Sequence, residues 1–172
     1  SHNRRWLKPL SLLALILMIS IAVPALGEST NGTYDSTKQF IAALESEDIS
    51  YDYRGVDSHD YDVVTVDLEG DNITVSLYFY FNSDGEDVAI RVWDLITYDE
   101  SMDDAVVRAA NTLNQNYRFA YFYGDTDFTV TGSMDVIFHA GDDIGAICYD
   151  AMMFVADVCD KAYPDLLPYS NK

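Results

Sequence analysis

Asp57, His59, Asp60 and Asp62 form the densest group of side chains in this chain that could hold a metal ion or move a proton. Carboxylates beside an imidazole are the types that such work requires. Consecutive acidic residues on a polar segment are nevertheless most often a solvated loop, so the bland reading leads here. His139 stands just before Asp142, a candidate helix cap, and capping or packing is its default role. A hydrolase using His59 or His139 with nearby carboxylates is therefore the alternative reading of the chain, not the leading one. The nucleophile-elbow pattern Gly-x-Ser-x-Gly, the metalloprotease pattern His-Glu-x-x-His, the P-loop and the dinucleotide fingerprint are all absent from the sequence. Asn82-Ser83-Asp84-Gly85 resembles the start of a calcium loop but lacks the first Asp and the closing Glu. No catalytic residue, metal or cofactor is expected.

A second group carries the chemistry of recognition. If helices cover the strand face that bears Leu77, Phe79 and Phe81, then Tyr78, Tyr80, Arg91, Trp93 and Phe122 share the uncovered side. Aromatic residues beside an Arg are the types enriched at protein interfaces. The expected partner is a protein or peptide, or a second copy of the chain.

Composition narrows the setting. Arg4, Arg5 and Lys8 precede an apolar run from Leu10 to Val23, and Ala25-Leu26-Gly27 supplies a small-x-small cleavage pattern. This order predicts an export signal over residues 1–27, cut after Gly27, and hence a secreted or periplasmic protein. The run is bracketed by Pro9 and Pro24 and falls short of the roughly 20 apolar residues of a spanning helix, so membrane attachment is expected only if the segment is retained. The whole chain of 172 residues has a formal charge of −19. Without residues 1–27 it carries 7 basic against 29 acidic side chains, about −22. Such a field repels nucleic-acid phosphates, and Lys38, Arg54, Arg91, Arg108, Arg118, Lys161 and Lys172 form no basic patch, so no nucleic-acid partner is expected. The acidity reads as solubility outside the cell, with cation binding by the acidic surface as a further alternative.

The elements that must position these residues follow from periodicity. Residues 28–35 read as a flexible leader. Phe40, Ile41 and Leu44 recur at helical spacing behind the cap candidates Asp35 and Ser36. Val64, Val66 and Leu68 alternate as a first strand. Asp84-Gly85 between two alternating runs predicts a hairpin in which Phe81 faces Val88, Phe79 faces Ile90 and Leu77 faces Val92, with Tyr80/Ala89, Tyr78/Arg91 and Ser76/Trp93 on the other side. Ser101 and Asp104 suggest a capping box that opens a helix with Met102, Val106, Ala109, Ala110 and Leu113 inward. A second hairpin is expected to turn at Gly124-Asp125, with Phe119, Tyr121, Phe128 and Val130 toward the core and Arg118, Phe122, Thr129 and Thr131 away from it. The last helix is expected from Asp143 to Tyr163, ended by Pro164. Cys148 and Cys159 lie on that helix roughly 16 Å apart, too far to bridge, so buried reduced thiols are expected. The order α-β-β-β-α-β-β-α indicates an α+β fold, an antiparallel five-stranded sheet with helices on one face, in one domain over residues 36–167 with a tail at 168–172.

From Ala109-Ala110-Asn111-Thr112-Leu113-Asn114-Gln115-Asn116 through a hairpin to the closing Ala162-Tyr163-Pro164-Asp165-Leu166, the chain resembles the YbjN family. The resemblance implies a fold similar to type III secretion chaperones, a regulatory or chaperone-like role and no catalytic residues. The residues that carry it, Asn111, Asn114, Asn116, Tyr163 and Pro164, are read as structural, the Asn amides serving open carbonyls at a helix end.

Overall fold

Alternation in two long strands generates the core. Val75, Leu77, Phe79 and Phe81 on one strand and Val88, Ile90 and Val92 on the next are all buried on the same side of a sheet. The computed structural model describes residues 32–171, so the expected signal segment and residues 28–31, half of the expected leader, lie outside the described residues. Chain order is α1 (Asp35–Ser46), β1 (Asp52–Val56), β2 (Asp62–Glu69), β3 (Thr74–Phe81), β4 (Asp87–Thr97), α2 (Asp103–Asn116), β5 (Tyr121–Gly124), β6 (Thr129–Ile137) and α3 (Ile144–Leu166). The fold is α+β, with one antiparallel six-stranded sheet in the order β1-β2-β3-β4-β6-β5.

The sixth strand, not the expected five, is β1. Its sequence Asp-Tyr-Arg-Gly-Val has no apolar alternation, because it is an edge strand with little to bury and a bulge between Tyr53 and Gly55. The β3–β4 hairpin has the expected register at Phe81/Val88, Tyr80/Ala89, Phe79/Ile90 and Tyr78/Arg91. Its loop is wider than a two-residue turn, since Asn82 N–H donates to Asp87 O, but it is centred on the same point. Leu77/Val92 and Ser76/Trp93 do not continue the ladder: β4 leaves regular pairing between Val92 and Ile96, where Asp94 has a left-handed φ of 55°.

The second hairpin departs further. Its turn is centred on Thr126-Asp127, as Phe128 N–H donates to Asp125 O and Asp125 N–H to Thr129 O. Phe119 has φ 69°, so β5 begins only at Tyr121 and its alternation is shifted by one residue against the expected one. An odd shift exchanges the faces of a strand. Phe122 is thus buried opposite Gly132 on the core side, while Tyr121 and Tyr123 take the open side and Phe119 is exposed.

α1 and α3 pack on the apolar face. Phe40 of α1 lies 4.3 Å from the Phe79 ring, centroid to centroid. α3 passes so close to β6 that a Cβ on Gly132 would meet Cys159 Sγ at 2.6 Å. Both Cys148 and Cys159 are free and buried, and burial pushes the Cys159 thiol up to about 12. α2 sits at the β5 edge, where Asn114 acts as a substitute strand. Its Nδ2 donates to Phe122 O at 2.9 Å and its Oδ1 accepts from Phe122 N at 2.7 Å. Asn114 therefore serves the backbone of β5 instead of its own helix end, while Asn111 and Asn116 are exposed.

The start of α1 and the end of α3 are held by distant residues, whereas the start of α3 is capped locally, not by the expected Asp142 but by Asp143, whose Oδ1 accepts from Ala146 N at 3.1 Å. Asp35 and Ser36 do not cap α1; Asp62 of β2 accepts from Thr33 N at 2.6 Å and Tyr34 N at 3.0 Å. Ser101 lies in a 3-10 turn, Glu100–Met102, and makes no side-chain cap to α2. Pro164 does not end α3, which runs on to Leu166. A proline leaves the carbonyl four residues earlier without its helical donor. That carbonyl belongs to Asp160, and Asn72 Nδ2 donates to it at 3.1 Å. The Asp160 carboxylate, buried in the same place, accepts from Asp71 N, Asn72 N and Ile73 N at 3.1, 2.8 and 3.0 Å. A Cβ on Gly70 would collide with it. The C-terminal tail is tied as well, by Asn171 N–H to Thr97 O.

Burial raises the Asp160 carboxyl, but the backbone donors and the Asn72 amide outweigh it and hold the group below its ordinary value. A depressed folded-state pKa contributes stability above the unfolded value near 3.9, and that contribution disappears as pH falls through the folded one. Asp160→Ala is expected to cost about 2–4 kcal/mol in urea unfolding at neutral pH, with the deficit against the parent shrinking as the pH is lowered below about 4. Asn114→Ala is expected to cost about 1–3 kcal/mol in the same measurement, through two unpaired groups on Phe122.

Candidate functional site

The sheet face away from α1 and α3 is covered by side chains of the strands themselves. Along the strand order it carries Asp52 and Arg54 on β1, Val63 and Thr65 on β2, and Tyr78 and Tyr80 on β3. Ala89, Arg91 and Trp93 follow on β4, then Thr131, Ser133 and Asp135 on β6 and Tyr121 and Tyr123 on β5. Of the residues expected here, Tyr78, Tyr80, Arg91 and Trp93 are present and Phe122 is not, for the register reason given above. Thr131 and Ser133 have no exposed surface, so the longer side chains around them form the true outer layer.

That layer is cross-linked. Trp93 Nε1–H donates to Tyr80 Oη at 3.0 Å, and the two rings meet edge to face with centroids 6.4 Å apart. Tyr80 stacks on Tyr78 at 6.3 Å and receives Tyr61 edge-on at 6.2 Å. The Arg54 guanidinium lies over the Tyr78 ring, 5.2 Å from its centroid, and pairs with Asp52. Arg91 donates to Asp135 Oδ1 at 2.6 Å. Burial would lower the Arg91 pKa, but the Asp135 hydrogen bond and charge overcome it and raise it. Burial is also the main cause that raises the Tyr80 phenol above its ordinary range; the Trp93 hydrogen bond opposes this, and the Asp57 charge adds to it.

The acidic loop meets this face. Asp57, His59, Tyr61, Tyr80, Ala89, Arg91 and Trp93 line a shallow depression of about 400 Å³. Thus Asp57 and His59, from the chemistry-bearing loop, stand beside Tyr80, Arg91 and Trp93 of the aromatic set. Asp60 and Asp62 do not join them. Asp62 is buried at the start of α1, and among the described residues no group of three His, Cys, Asp or Glu is placed to hold a metal ion. Asp57 Oδ1 accepts from His59 N at 2.8 Å and Tyr61 N at 3.1 Å, so it organises the β1–β2 turn and does not orient the imidazole. The His59 ring Nδ1 lies within hydrogen-bond distance of the neighbouring Ser58 hydroxyl, at 3.4 Å, and among the described residues forms no ion pair with a carboxylate.

His139 is exposed, its Nδ1 3.7 Å from Asp142 Oδ2, while Asp142 caps the turn through His139 N at 2.7 Å. The depression beside it is lined by no Ser, Thr or Cys among the described residues. Among the described residues neither histidine has both a carboxylate on its ring and a hydroxyl or thiol beside it, the arrangement that a side-chain nucleophile activated by His uses.

Tyr61, Arg54, Asp135 and Tyr123 belong to the face but were not assigned to it from sequence, and Tyr121, expected toward the core, lies on it as well. The turn-forming run Asp57-Ser58-His59-Asp60 between Val56 and Val63 is the local signal for a β1–β2 hairpin that would have placed Arg54 and Tyr61. Tyr80→Phe removes the acceptor of the Trp93 indole. In a Trp6→Phe background it is expected to shift Trp93 emission while changing stability by less than about 1 kcal/mol, measured by fluorescence and urea unfolding.

No family model, curated protein or solved structure matches the chain. The functional reading rests on the geometry and residue types of this face.

Proposed function

We propose that the chain is an exported, non-catalytic YbjN-like domain that binds a protein or peptide through the open aromatic face of its sheet. One observation carries the reading: the face away from α1 and α3 presents two groups of rings, one of Tyr78, Tyr80 and Trp93 and one of Tyr121 and Tyr123, on either side of Arg91, with Trp93 and Tyr121 each 40% exposed. Rings locked by contacts with each other lose little conformational freedom on binding, which favours their use as anchors. The order of three helices and an antiparallel sheet is compatible with the family resemblance, and export is supported by the pattern of residues 1–27.

The test is association of residues 28–172, followed by light scattering over a dilution series in moderate salt and by exposure to partner peptides. Binding to a second copy or to another chain is expected to be lost in Trp93→Ala combined with Tyr78→Ala, with circular dichroism and melting retained. Association that persists in this folded variant would overturn the proposal.

A further inference from the structure

The depression on the open face has the form of a cation-accepting aromatic site. Tyr61 and Trp93 both stand nearly perpendicular to Tyr80, at 81° and 78°, so three rings present faces and edges around one space. The negative faces of Trp and Tyr rings attract ammonium and guanidinium groups, Trp most strongly. This surface already receives one such group: the Arg54 guanidinium sits over Tyr78. Trp93, 40% exposed, carries no comparable group among the described residues.

The charges at the rim point the same way. Arg91 lines the space but is matched by Asp135, and Arg54 is matched by Asp52. Asp57 pairs with no Lys, Arg or His among the described residues, and while Oδ1 takes two backbone N–H groups, its Oδ2 takes none. A carboxylate oxygen with free lone pairs beside three rings is suited to an incoming N–H or N-methyl cation. The formal charge of −19 on the whole chain draws basic partners toward it and repels acidic ones.

We infer that the depression formed by Tyr61, Tyr80, Trp93 and Asp57 binds the cationic group of a basic peptide or protein, an ammonium or guanidinium seated against Trp93 and facing Asp57. This rests on the reading of the open sheet face as the recognition surface and assigns that surface a class of partner.

The experiment compares choline with its uncharged isostere 3,3-dimethyl-1-butanol at constant ionic strength, reading Trp93 fluorescence in the Trp6→Phe chain, and then an oligolysine with an oligoglutamate peptide. Choline is expected to give a saturable change with Kd on the order of millimolar, the alcohol none, and oligolysine tighter binding than choline. Trp93→Ala, followed by the calorimetric heat of binding, and Asp57→Asn are each expected to weaken choline by about tenfold or more. Asp57→Asn keeps Oδ1 as acceptor for the turn and removes only the charge, so it separates binding from folding. Equal binding of choline and the alcohol would overturn the inference and leave the face as an apolar docking surface. Choline binding unchanged by either variant would also overturn it, as diffuse attraction to an acidic surface. If neither small molecule nor oligolysine binds while association through Trp93 and Tyr78 persists, the partner is not cationic, and the inference fails without the proposed function.

Discussion

A sheet of six strands packed by α1 and α3 on one face has to shield its other face with the side chains of its own strands. This constraint organises the molecule. On the covered side, Leu77, Phe79, Phe81, Val88 and Ile90 disappear under the helices. On the other side, Tyr and Trp lie across the smaller Val63, Thr65, Thr131 and Ser133, which are buried without any helix above them. Amphipathic rings suit that position, because each buries a face and offers a polar group: Trp93 donates to Tyr80, and Tyr121 reaches Asp135. The same residues that protect the sheet are those that the proposed function would present to a partner.

Two carboxylates hold the layers in place. Asp160 joins α3 to the β2–β3 turn, and Asp62 joins the start of β2 to the start of α1. Each accepts backbone N–H groups from a segment far away in sequence. Asp160, with both oxygens engaged, is buried without a cationic partner, whereas Asp62 takes its two N–H groups on Oδ2 and leaves Oδ1 buried with no hydrogen-bond partner among the described residues. In an acidic chain with few basic residues, backbone amides take the role that Lys and Arg would otherwise fill. Asp160 also explains Pro164. The proline leaves a helical carbonyl free at the residue whose side chain grips the Asn72 turn, and Asn72 takes that carbonyl too.

Much of the fold was legible because it follows periods of two and of three to four residues. The β3–β4 register and the open-face positions of Tyr78, Tyr80 and Arg91 come from alternation around a well-marked turn, and the inward faces of α1 and α2 from helical spacing. The errors lie where backbone conformation breaks the period. Left-handed Phe119 and a turn at Thr126-Asp127 shift β5 by one residue and send Phe122 inward. The bulge in β4 removes Trp93 from its expected partner Ser76 and gives it Tyr80. β1 has no pattern to read because an edge strand buries little. Long-range contacts made by single polar side chains, Asp62 and Asp160, have no local signature at all, since each acts on a segment brought near only by the finished fold.

The proposed function requires that the self-shielded face of the sheet is where another molecule binds. Amide and indole chemical shifts recorded while oligolysine is added to residues 28–172 test it most directly. Changes confined to Tyr61, Tyr78, Tyr80, Arg91 and the Trp93 indole would agree with it. Changes centred on the exposed Phe119 and Phe154 beside α3, or spread evenly over the acidic surface, would contradict it.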